Sequence, residues 1–140
     1  MPDKFKVEVV TPTGPIFDKE VEEVVAPGVM GEFGVLIGHT PMLTFIKPGV
    51  LSYLEDGSFT RYAVGAGYCE VLPDSVSVLV DEAYPAEEID ASAAASEVSE
   101  LEGELSKIDA SSDPEEHKNV SAKLALARAK VSATGGGAGH

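Results

Sequence analysis

The feature that most constrains the fold is a change of composition near residue 85. All five Phe and four Tyr residues lie before it, whereas residues 85–140 contain no aromatic side chain and are rich in Ala, Glu, Ser and Lys. Aromatic side chains bury large areas and dominate core energetics. We therefore predict that the second segment cannot make much of a core alone.

The first segment has the pattern of short β-strands. Phe5, Val7 and Val9 alternate with Lys6 and Glu8, and Pro, Gly and Asp-containing turn sequences interrupt such runs every several residues. Alternation places one face of each strand in a core. The pattern predicts an N-terminal all-β sandwich, or a barrel, of antiparallel strands.

The second segment has the spacing of two α-helices. Asp113 and Pro114 are residues typical of a helix start, and Gly135 begins a glycine run that ends a helix. The apolar stripes are Ile89, Ala94, Val98, Leu101, Leu105 and Ile108, then Val120, Leu124, Ala127 and Val131. We predict a sandwich over residues 1–85, a C-terminal α-helical hairpin over 86–134 and a loose tail over 135–140.

The helical hairpin is predicted to be weakly held. Its stripes are narrow and dominated by Ala and single aliphatic residues, so burial gives little margin over chain entropy. The first helix is acidic and the second carries the basic residues, so the two helices should attract each other. We predict a hairpin that can leave its docked position.

Charge and composition exclude several classes of partner. The formal net charge is -14 and the isoelectric point is near 4.4, so a nucleic-acid backbone would be repelled. No run of eighteen apolar residues occurs, and the first residues lack an export pattern. We expect a protein of a cytoplasm-like compartment that does not span a membrane.

No catalytic or metal-binding pattern stands out. The three His residues have no spacing suited to a metal, and one cysteine, Cys69, allows neither an internal disulfide nor a cysteine-based zinc site. The acidic pairs are more typical of solvated surface than of acid–base chemistry. These observations indicate an adaptor or regulator, not an enzyme.

Several ordered motifs carry a family resemblance. Residues 31–43, read as GEFGVLIGHTPML, are similar to the motif G-E-x-G-(I/V)-L-P-G-H-x-P-L of the epsilon subunit of bacterial F-type ATP synthases. Further matches follow in the same order at residues 9–15, 46–49, 64–71 and 89–90. Ordered matches along the whole chain are more specific than any single motif.

The resemblance implies a sandwich of about ten strands followed by two helices. It also implies a non-catalytic central-stalk subunit that couples the proton-driven rotor to the catalytic head. The implied partners are the gamma subunit and the ring of c subunits, and the alpha and beta subunits when the helices extend and inhibit ATP hydrolysis. Such a subunit lies peripherally on the cytoplasmic face of the bacterial inner membrane. The alternative is a free-standing protein-binding or nucleotide-sensing adaptor on the same scaffold.

The resemblance assigns interface residues to the segment around residue 38. It places Glu32 and His39 in a loop that faces the c ring. Ile37 stands where the family has Pro, and an exposed Ile37 would itself suit a binding face. The alternative for His39 is a turn residue bonded to a backbone carbonyl.

The resemblance also gives a role to basic residues of the second helix. Lys123, Arg128 and Lys130 would favour capture of the extended helix near acidic segments of the beta subunits. The alternative is a solvated face that pairs with the first helix. With so few charges, we predict weak to moderate inhibition.

Some bacterial members of the family bind ATP through a motif I-D-x-x-R-A and arginines of the second helix. Here Ile89, Asp90, Ala94 and Arg128 match, but Ala93 stands in place of the motif's arginine. Charge-assisted hydrogen bonds are worth roughly 1.5 to 3 kcal/mol each. We predict that ATP binding is weak or absent and that the chain needs no cofactor.

Overall fold

The computed structural model describes residues 4–136, which contain ten β-strands and two α-helices. A short 3₁₀ turn precedes the first helix, and a π-helical turn follows the second. The elements are β1 Phe5–Thr11, β2 Gly14–Val21, β3 Glu23–Gly28, β4 Gly31–Val35, β5 Met42–Ile46, β6 Gly49–Glu55, β7 Ser58–Val64, β8 Gly67–Leu72, β9 Ser75–Val80, β10 Ala83–Pro85, the 3₁₀ turn Ala86–Glu88, α1 Ala91–Ser106, α2 Pro114–Val131 and the π-helical turn Ser132–Gly136.

The ten strands form one folded sheet. Their order is β10-β7-β6-β3-β5-β8-β9-β1-β2, with β4 paired to β3. The pairing of β3 with β5 is limited to Gly28 and Ile46, and there the sheet passes from one layer to the other. Strands β1 and β9 are parallel, and the other pairs are antiparallel. The predicted all-β sandwich of about ten strands is confirmed.

The core lies between the two layers and follows the predicted alternation. Phe5, Val7 and Val9 of β1 are buried, as are Val76 and Val78 of β9. Cys69 is also fully buried in this cluster. Alternating side chains on neighbouring strands therefore fill one continuous apolar interior.

The helical hairpin is confirmed, and its ends differ in part from the expected caps. Asp90 caps α1, because its carboxylate accepts a hydrogen bond of 3.0 Å from the Ala93 amide. Pro114 is the first residue of α2 as expected, but Asp113 makes no side-chain capping bond. Of the predicted loose tail, residues 135–140, the last four residues lie outside the described part of the chain.

The hairpin has a small core and a thin contact with the sandwich. Leu101 of α1 packs with Val120, Leu124 and Ala127 of α2. At the contact with the sandwich the buried side chains are Ala63, Ala129 and Ala133, and the partly buried Val50, Ala86 and Ile89 pack against them. The hairpin thus covers the outer face of β6 and β7.

Candidate functional site

An exposed apolar row crosses four strands on the layer that the helical hairpin does not cover. Phe45 of β5 lies opposite Tyr68 of β8, Tyr68 opposite Leu79 of β9, and Leu79 beside Val10 of β1. The exposed fractions of Phe45, Tyr68 and Leu79 are 69%, 43% and 36%. We call Val10, Leu79, Tyr68 and Phe45 the apolar row.

The next row on the same face is more polar. Leu43, which is 71% exposed, lies opposite Glu70, and Glu70 lies opposite Ser77. The Ser77 hydroxyl donates a hydrogen bond of 3.0 Å to the Glu8 carboxylate on the neighbouring strand. A contiguous apolar patch bordered by polar groups is typical of a protein–protein interface.

The residues of the apolar row were not singled out from the sequence. Alternation assigns Leu79 to the outer face of its strand, beside polar residues. Nothing local indicates that Tyr68 and Phe45 continue the same row, because the register that aligns them joins strands far apart in sequence. The sequence signal that could have indicated the apolar row is the presence of large apolar residues at outward-facing, alternating positions of these strands.

The loop between β4 and β5, residues 36–41, is a second candidate interface. The His39 amide donates to the Leu36 carbonyl at 3.2 Å, and Gly38 has φ of 79°. These are features of a type II turn, whose third position requires glycine and whose second position accepts Ile37 as well as proline. The Gly38 amide also donates to the Pro73 carbonyl at 2.7 Å, which fixes the loop to the β8–β9 turn.

The predicted interface residues do not all lie in this loop. Ile37 lies there with 40% of its surface exposed, and His39 is half-buried with Nδ1 2.7 Å from the Thr40 carbonyl oxygen. This contact of His39 is the one that the alternative prediction gave, a turn residue bonded to a backbone carbonyl. Glu32 is exposed but belongs to β4, opposite Pro27, so its expected place in the loop is wrong. Glu32 lies four positions before Leu36, a distance of roughly 13 Å along the strand.

Of the three basic residues of α2 that were assigned a role, two pair with α1. The Arg128 guanidinium lies 2.9 Å from the Glu102 carboxylate, and the Lys130 ammonium lies 3.9 Å from that of Glu97. Lys123 is exposed and has no ion pair among residues 4–136. In the docked hairpin these charges therefore serve the contact between the helices, as the expected attraction predicts.

Three of the four residues matched to a nucleotide motif share a cleft, and the arginine lies outside it. Ile89, Asp90 and Ala94 line an open cleft of about 590 Å³ beside α1, and Arg128 is not among its lining residues. The side chains around the cleft include four carboxylates and one cation, Lys130; the four are Glu88, Asp90, Glu97 and Glu100. Since Asp90 caps the helix and the cleft is acidic, a phosphate group would meet repulsion.

Two groups outside the apolar row and the β4–β5 loop have strongly raised pKa values. Burial, and secondarily the Glu70 carboxylate, raises the pKa of the Cys69 thiol from 9.0 to about 12. The hydrogen bond that Tyr84 donates to Glu82, with burial, raises the pKa of the Tyr84 hydroxyl to about 12. Residues 4–136 bring no three metal-ligating side chains together, and none of their helices is long and apolar enough to cross a membrane.

Comparison with known proteins identifies the scaffold. Residues 4–86 match the β-sandwich domain family of the ATP synthase delta/epsilon chain. The chain is 44% identical over 131 residues to the ATP synthase epsilon chain of Geotalea daltonii, covering 94% of this chain and 92% of that one. The chain belongs to the family of ATP synthase epsilon chains. An ATP synthase epsilon chain 2 of Syntrophotalea carbinolica is 39% identical, with 98% of each chain covered.

A solved structure has the same fold. A chain in the mitochondrial ATP synthase of Euglena gracilis, in a structure of its OSCP, F1 and c ring, aligns with a TM-score of 0.80 at 22% identity over 95% of this chain and 82% of that one. As an epsilon chain, the protein is a non-catalytic subunit of an ATP synthase, a membrane-associated enzyme. Its partners are other subunits of that complex.

Proposed function

We propose that the chain couples the rotor of a bacterial proton-translocating ATP synthase to its catalytic head, and that its helical hairpin restrains ATP hydrolysis. In this proposal the apolar row binds the gamma subunit and the β4–β5 loop contacts the c ring. The protein then lies peripherally on the cytoplasmic face of the inner membrane. The observation that carries the proposal is the exposed apolar row on the uncovered layer of the sandwich.

The apolar row suits a permanent partner within a stalk. Exposed Phe45, Leu43 and Tyr68 would be costly to keep in water on a free protein with a formal charge of -14. Aromatic and aliphatic anchors on a rigid sheet are the usual centre of a stable interface. The gamma subunit is the partner that the family resemblance implies for the sandwich, and we propose that it binds this layer.

The β4–β5 loop suits contact with a second partner because it is both exposed and braced. Leu36 and Ile37 are 59% and 40% exposed, whereas the Gly38 bond to Pro73 and the turn bond within the loop limit its movement. A braced loop can bear force without folding away. We propose Ile37 and His39 as c-ring contacts, with Glu32 contributing from the adjoining strand.

The test of the gamma interface is a paired substitution on the apolar row. Phe45→Ser combined with Leu79→Ser should abolish co-purification with gamma and reduce proton-driven ATP synthesis in membranes. Phe59→Ser removes an aromatic side chain that is 46% exposed on β7 and should leave both unchanged. Undiminished gamma binding by the paired variant would contradict the proposed interface.

A cysteine crosslink tests the c-ring contact. Ile37→Cys in the assembled enzyme should crosslink to the c ring, whereas Asp56→Cys in the β6–β7 turn should not. The native Cys69 is fully buried and does not compete for the reagent. Absence of any crosslink from residue 37 or its neighbours would remove the loop from the interface, and a chain that never assembles with gamma would favour a free-standing adaptor.

Regulation by the helical hairpin is tested by deletion. Removal of residues 86–140 should raise ATP hydrolysis by the complex moderately, and neutralising Lys123, Arg128 and Lys130 together should give part of that rise. The basic side chains supply the attraction that would hold an extended α2 near acidic segments of the beta subunits. Equal hydrolysis rates with and without the hairpin would exclude an inhibitory role.

Nucleotide binding is expected to be weak or absent. The cleft that contains Ile89, Asp90 and Ala94 has four carboxylates, Ala93 offers no cation, and Arg128 is paired with Glu102. Calorimetric titration of the full chain with ATP should therefore show no micromolar binding. A micromolar dissociation constant would contradict this expectation.

A further inference from the structure

Lys130 of α2 contacts both the other helix and the sandwich. Its ammonium lies 4.4 Å from the centre of the Tyr84 ring on β10 and 3.9 Å from the Glu97 carboxylate on α1. Its side chain is 23% exposed, against 58% for Arg128, which pairs with Glu102 of α1. A cation over an aromatic face and beside a carboxylate is attracted by both.

Lys130 is surrounded by carboxylates of the sandwich and of α1. It lines the acidic cleft described above, which we call the first cleft, and also a second cleft on its other side that includes Asp81 and Glu82 of the sandwich. Carboxylates of the sandwich and of α1 thus face each other across the junction, and their repulsion favours separation. Lys130 lines both clefts, whereas the other cation at the junction, Lys123, lines the second but not the first.

Apolar contact contributes little to the same junction. Its centre consists of Ala63, Ala129 and Ala133, whose side chains are single methyl groups. With Val50 and Ile89 as the larger side chains packed against these alanines, the cluster has far fewer large apolar side chains than the sandwich core, and its burial stabilises docking correspondingly less. One well-placed charge can therefore shift the docking equilibrium measurably.

We propose that Lys130 is an internal latch that keeps the helical hairpin docked on the sandwich without a bound ligand. The ammonium joins α1, α2 and β10 through Glu97 and Tyr84 and offsets the repulsion between the carboxylates. The latch concerns the free chain, so it stands whether or not the hairpin inhibits ATP hydrolysis.

Hydrogen exchange of the full chain tests the latch. Lys130→Met keeps the apolar stem and removes the charge, and it should raise the exchange rate of α2 amides about three- to tenfold. Lys130→Arg keeps the charge and should stay near the parent rate. Lys118→Met removes an exposed lysine twelve positions earlier on α2, one that lines neither cleft, and should also stay near it. Amides of β1 and β9 should be unchanged in all variants, which separates undocking from loss of the whole fold.

The partners of Lys130 provide the decisive comparison. Glu97→Gln and Tyr84→Leu should each raise the α2 exchange rate in the parent chain, and neither should raise it further when Lys130→Met is present. Tyr84→Phe keeps the ring and should retain most of the protection. The proposal is overturned if Lys130→Met exchanges like the parent or like Lys118→Met, or if the effects of the partner variants are the same with and without Lys130.

Discussion

The sandwich and the helical hairpin differ in how much each buries. Within residues 4–136 the sandwich core contains sixteen buried residues, mainly Val with Phe, Tyr, Leu and Ile, whereas the central cluster of the hairpin has four. The cluster between the hairpin and the sandwich has three buried residues, all of them alanines. At roughly 1.5 to 3 kcal/mol per fully buried large side chain, the sandwich is the more stable unit by a wide margin.

This difference separates two tasks within one small chain. A stiff sheet can keep the apolar row and the β4–β5 loop in a constant relative position. A helical pair held by a few small contacts can change its position at low cost in free energy. The four predictions below test that separation, beginning with the largest expected effect.

Truncation of a core residue should affect the two regions differently. Leu51 is fully buried in the sandwich, and Leu51→Ala should lower the free energy of unfolding by about 2 to 5 kcal/mol in denaturant titration. Leu124 is 3% exposed in the hairpin, and Leu124→Ala is the matched control. It should release protection of the α2 amides while leaving those of β1 and β9 intact. If either variant destabilised the sandwich and the helical hairpin to the same extent, the two regions would unfold as one unit.

Overpacking at the junction should undock the hairpin. Ala129 is 4% exposed and packs against Ala63, so Ala129→Leu should cost about 1 to 3 kcal/mol of docking free energy. Distance measurements between spin labels on α2 and β7 would report the separation. Ala95→Leu, at an exposed position of α1, should leave the distance unchanged. A docked Ala129→Leu variant would show that the alanine contact tolerates expansion.

Alkaline pH should weaken the sandwich through Cys69. The folded thiol has a pKa of about 12, against 9.0 as its ordinary value, so above pH 9 only the unfolded state releases its proton. The contribution of the buried, neutral thiol to the free energy of unfolding is complete below pH 9. It is lost towards pH 12, at up to about 1.4 kcal/mol per pH unit. Denaturant titrations at pH 8 and about pH 10.5 should show a smaller loss in Cys69→Ala than in the parent chain. Equal losses would assign the alkaline effect to other groups.

The smallest effect is expected from the exposed ion pair of the helices. Arg128 and Glu102 are 58% and 52% exposed at their side chains, so Arg128→Gln should weaken the hairpin by less than about 1 kcal/mol. The difference should shrink as salt is raised from about 0.05 M to about 1 M. Exchange of the α2 amides at the two salt concentrations measures both effects. A variant effect that grows with salt would contradict an electrostatic origin.

Local patterns were sufficient for the elements but not for the surfaces. Alternation at Val76 and Val78 and the proline at residue 114 are local signals, and the structure confirms the strand and the helix start that they predict. The apolar row depends on the register between β5, β8, β9 and β1, which no local pattern encodes. The predicted position of Glu32 was wrong because the motif does not show where β4 ends.

The contacts of the hairpin show the same limit. Opposite charges on the two helices predicted their attraction, and the Arg128–Glu102 and Lys130–Glu97 pairs confirm it. The third partner of Lys130, the ring of Tyr84, lies on β10 and becomes a neighbour only after the hairpin docks. The capping role of Asp90 was hidden because its segment also resembles a nucleotide motif.

The parallel pairing of β1 with β9 has a consequence for biosynthesis. Residues 6–10 lie beside residues 75–79, so the first strand made must wait for almost the last strand of the sheet before it gains that neighbour. The sheet therefore closes only when the ribosome has passed residue 80, and α1 and α2 emerge afterwards onto a surface that already exists. The order of synthesis thus gives the helices a finished template on which to fold.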